Sequence, residues 1–241
     1  MRKLTIVLLL AALGACSTND PTQSANVQVS FATQTPGPAL SAVALNDTLA
    51  ENGDTLVVTR ARVVLKEIEL KRVEQAACDS NACEEFALGP VLVDLPLGPG
   101  AQQQFALNIP AGSYDALKFD VHKPDDGNPT DQAFVAANPD FFKTSIIVEG
   151  TFNGQAFTYK TDLDAQQEIT LVPTLVVTDE TSTTNLTILL DLRSWFRDQS
   201  GVLVNPADAN DGGPYASVVA NNIQHSIQAY EDKDRDGGND H

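Results

Sequence analysis

The residues best suited to chemistry lie close to the C-terminal end, where aspartates alternate with basic side chains. Asp232, Asp234 and Asp236 are each separated by one residue and are followed by Gly237. Spaced carboxylates and a glycine that permits a sharp turn form the first half of a calcium-binding loop, because Ca²⁺ prefers oxygen ligands. The bidentate glutamate that closes such a loop would fall beyond His241. The pattern predicts weak calcium binding at most, and a solvated acidic tail is the interpretation we favour. We predict no other cofactor.

Two of the three cysteines form a local pair. Cys78 and Cys83 lie in a loop-like stretch of small and polar residues, with four residues between them. A disulfide is the default for such a pair in an oxidising, exported compartment. A redox pair or half of a metal site are the alternatives, but the spacing is not Cys-x-x-Cys and no second pair could complete a zinc site. We expect a structural disulfide that contributes about 2 kcal/mol or less, because the loop it closes is small.

No residue pattern indicates an enzyme. His122, His225 and His241 are too far apart in sequence to share metal-ligand spacing, and each is interpreted as a surface residue. The sequence has no Gly-x-Ser-x-Gly motif, glycine-rich phosphate loop or dinucleotide fingerprint. Acidic neighbours at 125–126 and 162–164 could act as acid and base, but a chain with 32 acidic residues contains such pairs by chance. We therefore predict a non-enzymatic protein.

The N-terminal residues form an export signal. Two basic residues precede an apolar run at 4–13, which has the length of a signal-peptide core and is too short for a stable membrane-spanning anchor. Leu13-Gly14-Ala15-Cys16 resembles the lipobox of bacterial lipoproteins. The resemblance implies removal of residues 1–15 and acylation of Cys16, which would attach the chain stably to a membrane. An ordinary secretory signal with an incidental cysteine is the alternative.

The residues that follow Cys16 predict where and how the chain is held. Ser17 in the second mature position implies, by resemblance to enterobacterial lipoproteins, the outer membrane of the cell envelope. Residues 16–25 are small and polar with one proline, which is typical of a flexible tether. The first predicted partner is therefore the membrane, through the N-terminal lipid.

The chain has many more acidic than basic residues, and this excess limits which partners other than the membrane we predict. The chain has 32 acidic and 15 basic residues, for a formal net charge of −17. Such a charge disfavours nucleic acid and anionic lipid headgroups, and it is compatible with divalent cations or basic partners. We expect no nucleic-acid binding, and an envelope protein or a glycan as the second partner.

The elements that must position these groups are mostly strands, because short runs of alternating apolar residues recur between turn signals. The predicted strands lie at 27–33, 56–73, 86–95, 103–109, 117–121, 144–161 (a hairpin), 168–172 and 185–192. Segments 34–54 and 123–140 predict loops, the second with a short helix at 132–137. Segment 56–73 also fits a helix, but its β-branched residues favour a strand with a bulge at Lys66-Glu67.

Asn153-Gly154 is the clearest local signal, because this pair is typical of a two-residue hairpin turn. The turn fixes the register of its strands, and Phe157 would then cover the bare backbone of Gly150. The predicted opposite pairs are Phe152 with Gln155, Gly150 with Phe157, Val148 with Tyr159, and Ile146 with Thr161.

The C-terminal part predicts one helix and a tail. Apolar residues recur every three to four positions from Val219 to Tyr230, which predicts a helix at 215–230. The charged residues 231–241 predict a disordered end. The aromatic pair beginning at Trp195 could form a sugar-binding platform, but a lone tryptophan beside a strand end more often packs in the core against such a helix.

One stretch resembles the strand start of a known fold type. Ile109-Pro110-Ala111-Gly112-Ser113-Tyr114 resembles the P-x-G-x-Y pattern of prealbumin-like and carboxypeptidase-regulatory-like β-sandwiches. The chain is also similar to a family of uncharacterised bacterial lipoproteins with a domain of unknown function. The similarity lies in the order of three segments: a long strand at 62–72, then VLVDLPLG, then FALNIPAGSYDALKFDV. The likeness covers about residues 27–123 and implies a sandwich fold. It carries no site residues and no activity.

These patterns predict an antiparallel β-sandwich of about eight strands with one C-terminal helix, over residues 26–230. It would follow the tether 16–25 and precede the acidic tail 231–241. The predicted function is a membrane-anchored, non-enzymatic structural or binding role in the bacterial envelope. The alternative is a secreted, carboxylate-dependent hydrolase of envelope or extracellular polymers.

Overall fold

The computed structural model describes residues 24–34, 47–73, 83–86, 89–178 and 184–240. The chain is mostly β and forms two sheets. The signal peptide, Cys16 and most of the predicted tether lie outside the described residues, and so do Cys78 and the side chain of Cys83. Lipidation and the disulfide therefore stay predictions.

The described part of the chain contains twelve strands and two α-helices, more than the eight strands and one helix that we predicted. The strands are β1 (Ser24–Ala32), β2 (Asp47–Glu51), β3 (Asp54–Arg72), β4 (Cys83–Phe86), β5 (Val91–Asp94), β6 (Gln102–Pro110), β7 (Gly112–Val121), β8 (Ile146–Phe152), β9 (Gln155–Thr161), β10 (Ala165–Val177), β11 (Thr184–Leu190) and β12 (Ile227–Glu231). The helices are α1 (Pro129–Ala137) and α2 (Ala216–His225). None of the helices in the described residues is long and apolar enough to cross a membrane.

Two of the extra strands arise from segments that the sequence analysis treats differently. The predicted loop at 34–54 contains β2, which pairs with β3. The predicted strand at 86–95 is shorter in the structure, where β5 covers Val91–Asp94; β4 ends at Phe86, and Gly89 and Pro90 belong to neither strand. Proline has no N–H to donate to a ladder, so it interrupts the pairing with β3 at this point.

The smaller sheet has the strand order β12-β11-β1-β6. Strand β1 is antiparallel to β6 but parallel to β11, with Val29 opposite Leu186 and Phe31 opposite Ile188. The prediction of a purely antiparallel arrangement is therefore wrong for this pair. Alternation along one strand shows which face is buried, but it carries no information about the direction of a partner that is distant in sequence.

The larger sheet is built around the long strand β3. Its order is β10-β7-β3-β8-β9, and β2, β4 and β5 also pair with β3. The register of β3 against β7 shifts between Lys66 and Glu69, and Glu67 has a φ of 53°. A non-glycine residue with positive φ at a register shift marks a bulge. The predicted bulge at Lys66-Glu67 is thus confirmed, and so is the strand interpretation of this segment.

The β8–β9 hairpin has the predicted register at all four pairs. Asn153 and Gly154 have φ values of 52° and 77°. Positive φ at both central residues is what the twisted two-residue turn requires, and asparagine and glycine adopt it most readily.

Both sheets contribute to the largest buried cluster, which includes residues of β1 and β11 from one sheet and β3 and β9 from the other. Trp195 and Phe196, which follow β11, are fully buried in it. The Trp195 Nε1–H donates to Ser226 Oγ at 2.8 Å, at the end of α2. The core interpretation of Trp195 is therefore confirmed, because neither ring reaches the surface to stack on a sugar.

Helix α2 ends at His225, so the predicted helix is wrong beyond that residue. The chain continues as β12, in which Ile227 and Ala229 are buried and Gln228 is exposed. Strand β12 pairs antiparallel with β11 along its whole length. Apolar residues at 227 and 230 are compatible with a helix and with a strand. The segment is a strand because it pairs with β11, which is distant in sequence.

Candidate functional site

The loop at 232–240 follows β12 and is attached to the smaller sheet. Asp232, the first residue of the loop, is wholly buried. Its Oδ2 accepts hydrogen bonds from Thr187 Oγ1 at 2.9 Å and from the Gly237 N–H at 3.1 Å. Thr187 belongs to β11, so the buried carboxylate joins the loop to a strand of the sheet.

Three carboxylates of this loop converge. One oxygen each from Asp232, Asp234 and Asp240 lies within 4.8 Å of the other two. Asp232 is buried, while Asp234 and Asp240 are exposed. Asp236, the third member of the predicted ligand set, instead accepts the Gly238 N–H at 2.7 Å through its Oδ1. The structure thus groups Asp240, and not Asp236, with the first two aspartates.

Hydrogen bonds connect the loop to several neighbouring elements. The Tyr230 hydroxyl donates to the Gly237 carbonyl, and the Ala101 N–H donates to the Arg235 carbonyl at 3.2 Å. The Arg235 guanidinium donates to Asn185 Oδ1 at 3.1 Å and to the Gln28 side chain. Residues 232–240 therefore have a defined conformation, which differs from the disordered tail expected for 231–241. Composition predicts a polar segment, but it cannot show which groups of the sheet will bind it.

Negative charge is concentrated at a poorly solvated position in this loop. Burial raises the pKa of Asp232 above its ordinary value of 3.8, although hydrogen bonds from Thr187 and from the Gly237 and Arg235 backbone N–H groups lower it in part. Burial, together with the charges of Asp232 and Asp236, raises the pKa of Tyr230 to about 12. Each shift follows from the cost of placing an anion where water is scarce and other anions are near.

A second cluster joins the end of β7 to α1. His122 Nε2 lies 2.9 Å from Asp131 Oδ2, and His122 Nδ1 lies 4.0 Å from Asp164 Oδ1. Asp131 is only 1% exposed and sits in the first turn of α1, where the side chain of the N-cap residue Asn128 accepts its N–H. The prediction of His122 as a surface residue does not include this pair. Asn128-Pro129 signals a helix start, but no local signal places that helix beside β7.

The His122 cluster pairs an imidazole with carboxylates and contains no described nucleophile. Both ring nitrogens of His122 face carboxylates. Among the residues that the structure describes, no hydroxyl or thiol forms a hydrogen bond with the ring. Activation of a serine or cysteine nucleophile requires such a bond. The described surroundings of His122 therefore provide no nucleophile and base pair.

Replacing Asp131 is expected to cost stability in a pH-dependent way. Burial alone would raise the pKa of Asp131, but hydrogen bonds from the His122 ring and the Asp125 N–H hold it below 3.8. A carboxyl with a lowered folded-state pKa contributes stability above its unfolded pKa, and this is lost as pH falls through the folded value. Asp131→Asn should lower the free energy of unfolding by about 1–3 kcal/mol at pH 7, and the deficit should shrink below about pH 4.

Urea unfolding of the wild type and Asp131→Asn at pH 7 and pH 3 measures both effects. Asp126→Asn is the matched control, because Asp126 lies in the same segment with an exposed side chain. It should unfold like the wild type at both pH values. A deficit for Asp131→Asn that is equal at pH 7 and pH 3 would contradict the assigned role.

The acidic neighbours considered as acid and base have other partners in the structure. Asp125 Oδ1 accepts the Gly127 N–H at 2.6 Å, which shapes a turn. Asp162 forms an ion pair with Lys123 at 3.2 Å, and Asp164 approaches His122. These contacts give Asp125, Asp162 and Asp164 local structural roles.

A polar groove of about 420 Å³ lies where β3, β5 and β6 meet. Arg60 and Asp94 form an ion pair at 2.7 Å in its wall, and the exposed side chains of Gln102 and Gln104 also line it. Amide and charged groups of this kind can exchange hydrogen bonds with a polar ligand. The described residues of the wall include no aromatic side chain.

Comparison with known proteins adds one distant likeness. No protein-family model matches the chain. No curated protein matches it either. Among solved structures, the chain is similar to MbnP from Methylosinus trichosporium, with 16% sequence identity and a TM-score of 0.42, over 87% of this chain and 98% of that chain. A likeness at this level carries no argument about fold or function, which rest on the residues described above.

Proposed function

We propose that the protein is a lipid-anchored component of the bacterial envelope with a non-enzymatic role, either structural or in binding a protein or glycan. The observation that carries the proposal is the N-terminal sequence. A basic start, an apolar run at 4–13 and Leu13-Gly14-Ala15-Cys16 form the pattern of a lipoprotein signal. Acyl chains on Cys16 would hold the mature chain at the membrane, since each buried methylene contributes about 0.8 kcal/mol.

The fold that we propose for the anchored part is a β-sandwich. Two sheets supply one buried apolar cluster, and sheets that share a core in this way usually pack face to face. The resemblance of residues 27–123 to lipoproteins with a sandwich domain supports the same proposal.

The position of β1 suits a lipid anchor. Strand β1 begins at Ser24, close after Cys16 in sequence, and lies between β11 and β6 in the smaller sheet. A chain held at Cys16 would therefore join the lipid to a strand of the smaller sheet through the predicted tether alone. The groove lined by Arg60 and Asp94 then offers a polar surface for a ligand, and it contains the hydrogen-bonding groups that a glycan or a polar peptide requires.

Membrane fractionation tests the anchor directly. The full chain should sediment with membranes and be extracted by detergent, whereas Cys16→Ser should be released into the soluble fraction, because serine cannot carry the thioether-linked lipid. Ser17→Ala is the matched control, since it changes the neighbouring residue and leaves the thiol in place; it should remain in the membrane fraction. Equal membrane association of Cys16→Ser and Ser17→Ala would overturn the proposal.

A further inference from the structure

We propose that the loop at 232–240 binds one calcium ion through Asp232, Asp234 and Asp240, and that the ion fastens the C-terminal loop to the smaller sheet. This inference is independent of the lipid anchor. It rests on the geometry of the loop. This geometry brings Asp240 close to Asp232 and Asp234, whereas the sequence pattern predicts Asp236 as the third ligand.

The first observation is the state of the Asp232 carboxylate. The residue is 0% exposed, and Oδ2 has two donors, Thr187 Oγ1 and the Gly237 N–H. Oδ1 is equally buried and has no hydrogen-bond partner. Buried polar atoms without a partner are rare in folded proteins, because the group loses water and receives nothing in exchange. A cation bound at Oδ1 would supply the missing partner.

The second observation is that backbone N–H groups, and no described cationic side chain, face the two exposed carboxylates: the Asp236 N–H donates to Asp234 Oδ1 at 3.1 Å, and the Lys233 N–H donates to Asp240 Oδ2. One carboxylate oxygen from each of the three aspartates lies within 4.8 Å of the others. In the part of the chain that the structure describes, no lysine or arginine forms an ion pair with any of them. Arg235, a basic residue of the same loop, directs its guanidinium to Asn185 and Gln28.

The donor set selects the kind of ion. Three carboxylates and no sulfur or imidazole ligand suit a hard cation, and a loop that can add backbone carbonyls and water suits the six to eight oxygen ligands of Ca²⁺. Mg²⁺ demands a tighter octahedron and gives up its water reluctantly, so it should bind more weakly here.

The attachment of the loop to the sheet reduces the entropic cost of binding. Tyr230 and Ala101 already hold the loop backbone, and Thr187 already orients Asp232. Little ordering is left for the ion to impose. Two of the three carboxylates are exposed, however, so we expect a dissociation constant in the range of weak extracellular sites, about 10⁻⁴–10⁻³ M.

Thermal unfolding of the full chain in detergent, in EDTA and then in 10 mM CaCl₂, tests the proposal, and Trp195 is a convenient reporter because it is the single tryptophan. Calcium should raise the Tm of the wild type by about 3–10 °C. Asp232→Asn and Asp240→Asn should lose this shift. Asp236→Asn, which alters a neighbouring aspartate outside the cluster, should retain it, and 10 mM MgCl₂ should give a smaller shift than CaCl₂.

The variants also separate a lost ion from a damaged fold. In EDTA, Asp232→Asn should have a Tm equal to or above that of the wild type, because it removes a buried charge and its amide can still accept from Thr187. Asp240→Asn changes an exposed side chain, so it tests the site even if Asp232→Asn does not fold. The proposal is overturned if calcium leaves the wild-type Tm unchanged, or if Asp240→Asn keeps the full shift.

Discussion

Gly150→Ala is expected to lower the free energy of unfolding by at least about 3 kcal/mol, which is a large share of the stability of a typical domain. A Cβ at this position would lie 2.0 Å from the Val57 carbonyl oxygen and 3.1 Å from two carbons of the Phe157 ring. The carbonyl belongs to β3, at a register shift between Val58 and Arg60, and it cannot move without breaking the ladder to β8. The Phe157 ring covers the other side, as the hairpin register predicts.

Urea unfolding followed by Trp195 fluorescence measures the loss, with Gly154→Ala as the control. Gly154 has positive φ but no atom within 4 Å of an added Cβ, so alanine there adds backbone strain of about 1–2 kcal/mol without a clash. The two variants lie in one hairpin: Gly150→Ala adds a steric clash, whereas Gly154→Ala adds backbone strain without a clash. If Gly150→Ala were no less stable than Gly154→Ala, the close approach of β3 to β8 would be incorrect.

Trp195→Ala is expected to cost about 3–5 kcal/mol, because it removes a large, wholly buried side chain. Trp195 also donates to Ser226 Oγ and accepts the Asn222 side-chain N–H at its carbonyl, so it links the turn after β11 to α2. Loss of the indole should therefore weaken the packing of α2 and remove the bond to Ser226, while the bond from Asn222 to the backbone carbonyl remains. Far-ultraviolet circular dichroism in urea measures this variant, since the fluorescent reporter is lost.

Two further variants separate the hydrogen bond of Trp195 and its burial as causes of the lost stability. Trp195→Phe keeps an aromatic ring but leaves Ser226 without its donor, and it should cost about 1–3 kcal/mol. Phe142→Ala removes an aromatic side chain that is 44% exposed, and it should stay within about 1 kcal/mol of the wild type. Similar losses for Trp195→Ala and Phe142→Ala would contradict the core position of Trp195.

Local chemistry explains which elements could be predicted. The hairpin at Asn153-Gly154, the bulge at Lys66-Glu67 and the buried alternation of β1 all depend on residues that are neighbours in sequence. Turn conformation, strand pleat and side-chain branching act over a few residues. The elements that depend on them can therefore be predicted without knowing the partner strand. The parallel pairing of β1 with β11 and the strand β12 depend on partners far along the chain, and no local pattern encodes them.

The candidate site divides in the same way. The alternation of Asp232, Asp234 and Asp236 before Gly237 matches the first half of a calcium loop, because those residues are close in sequence and their type is suited to a hard cation, although the sequence favours a solvated tail. The replacement of Asp236 by Asp240, and the burial of Asp232 against Thr187, follow from the path of the loop over the smaller sheet. The pairing of His122 with Asp131 likewise follows from the packing of α1 beside β7.

The sequence by itself determined the mostly-β character of the chain and its excess of acidic residues, because composition and short-range spacing are sufficient for both, and it is the basis on which the anchor at Cys16 is predicted. Only the tertiary structure decided the strand partners, the end of α2 at His225 and the carboxylates that meet in the C-terminal loop. These depend on which groups of distant segments come within hydrogen-bonding or ion-pair distance. That proximity is a property of the packed sheets, and no window of neighbouring residues contains it.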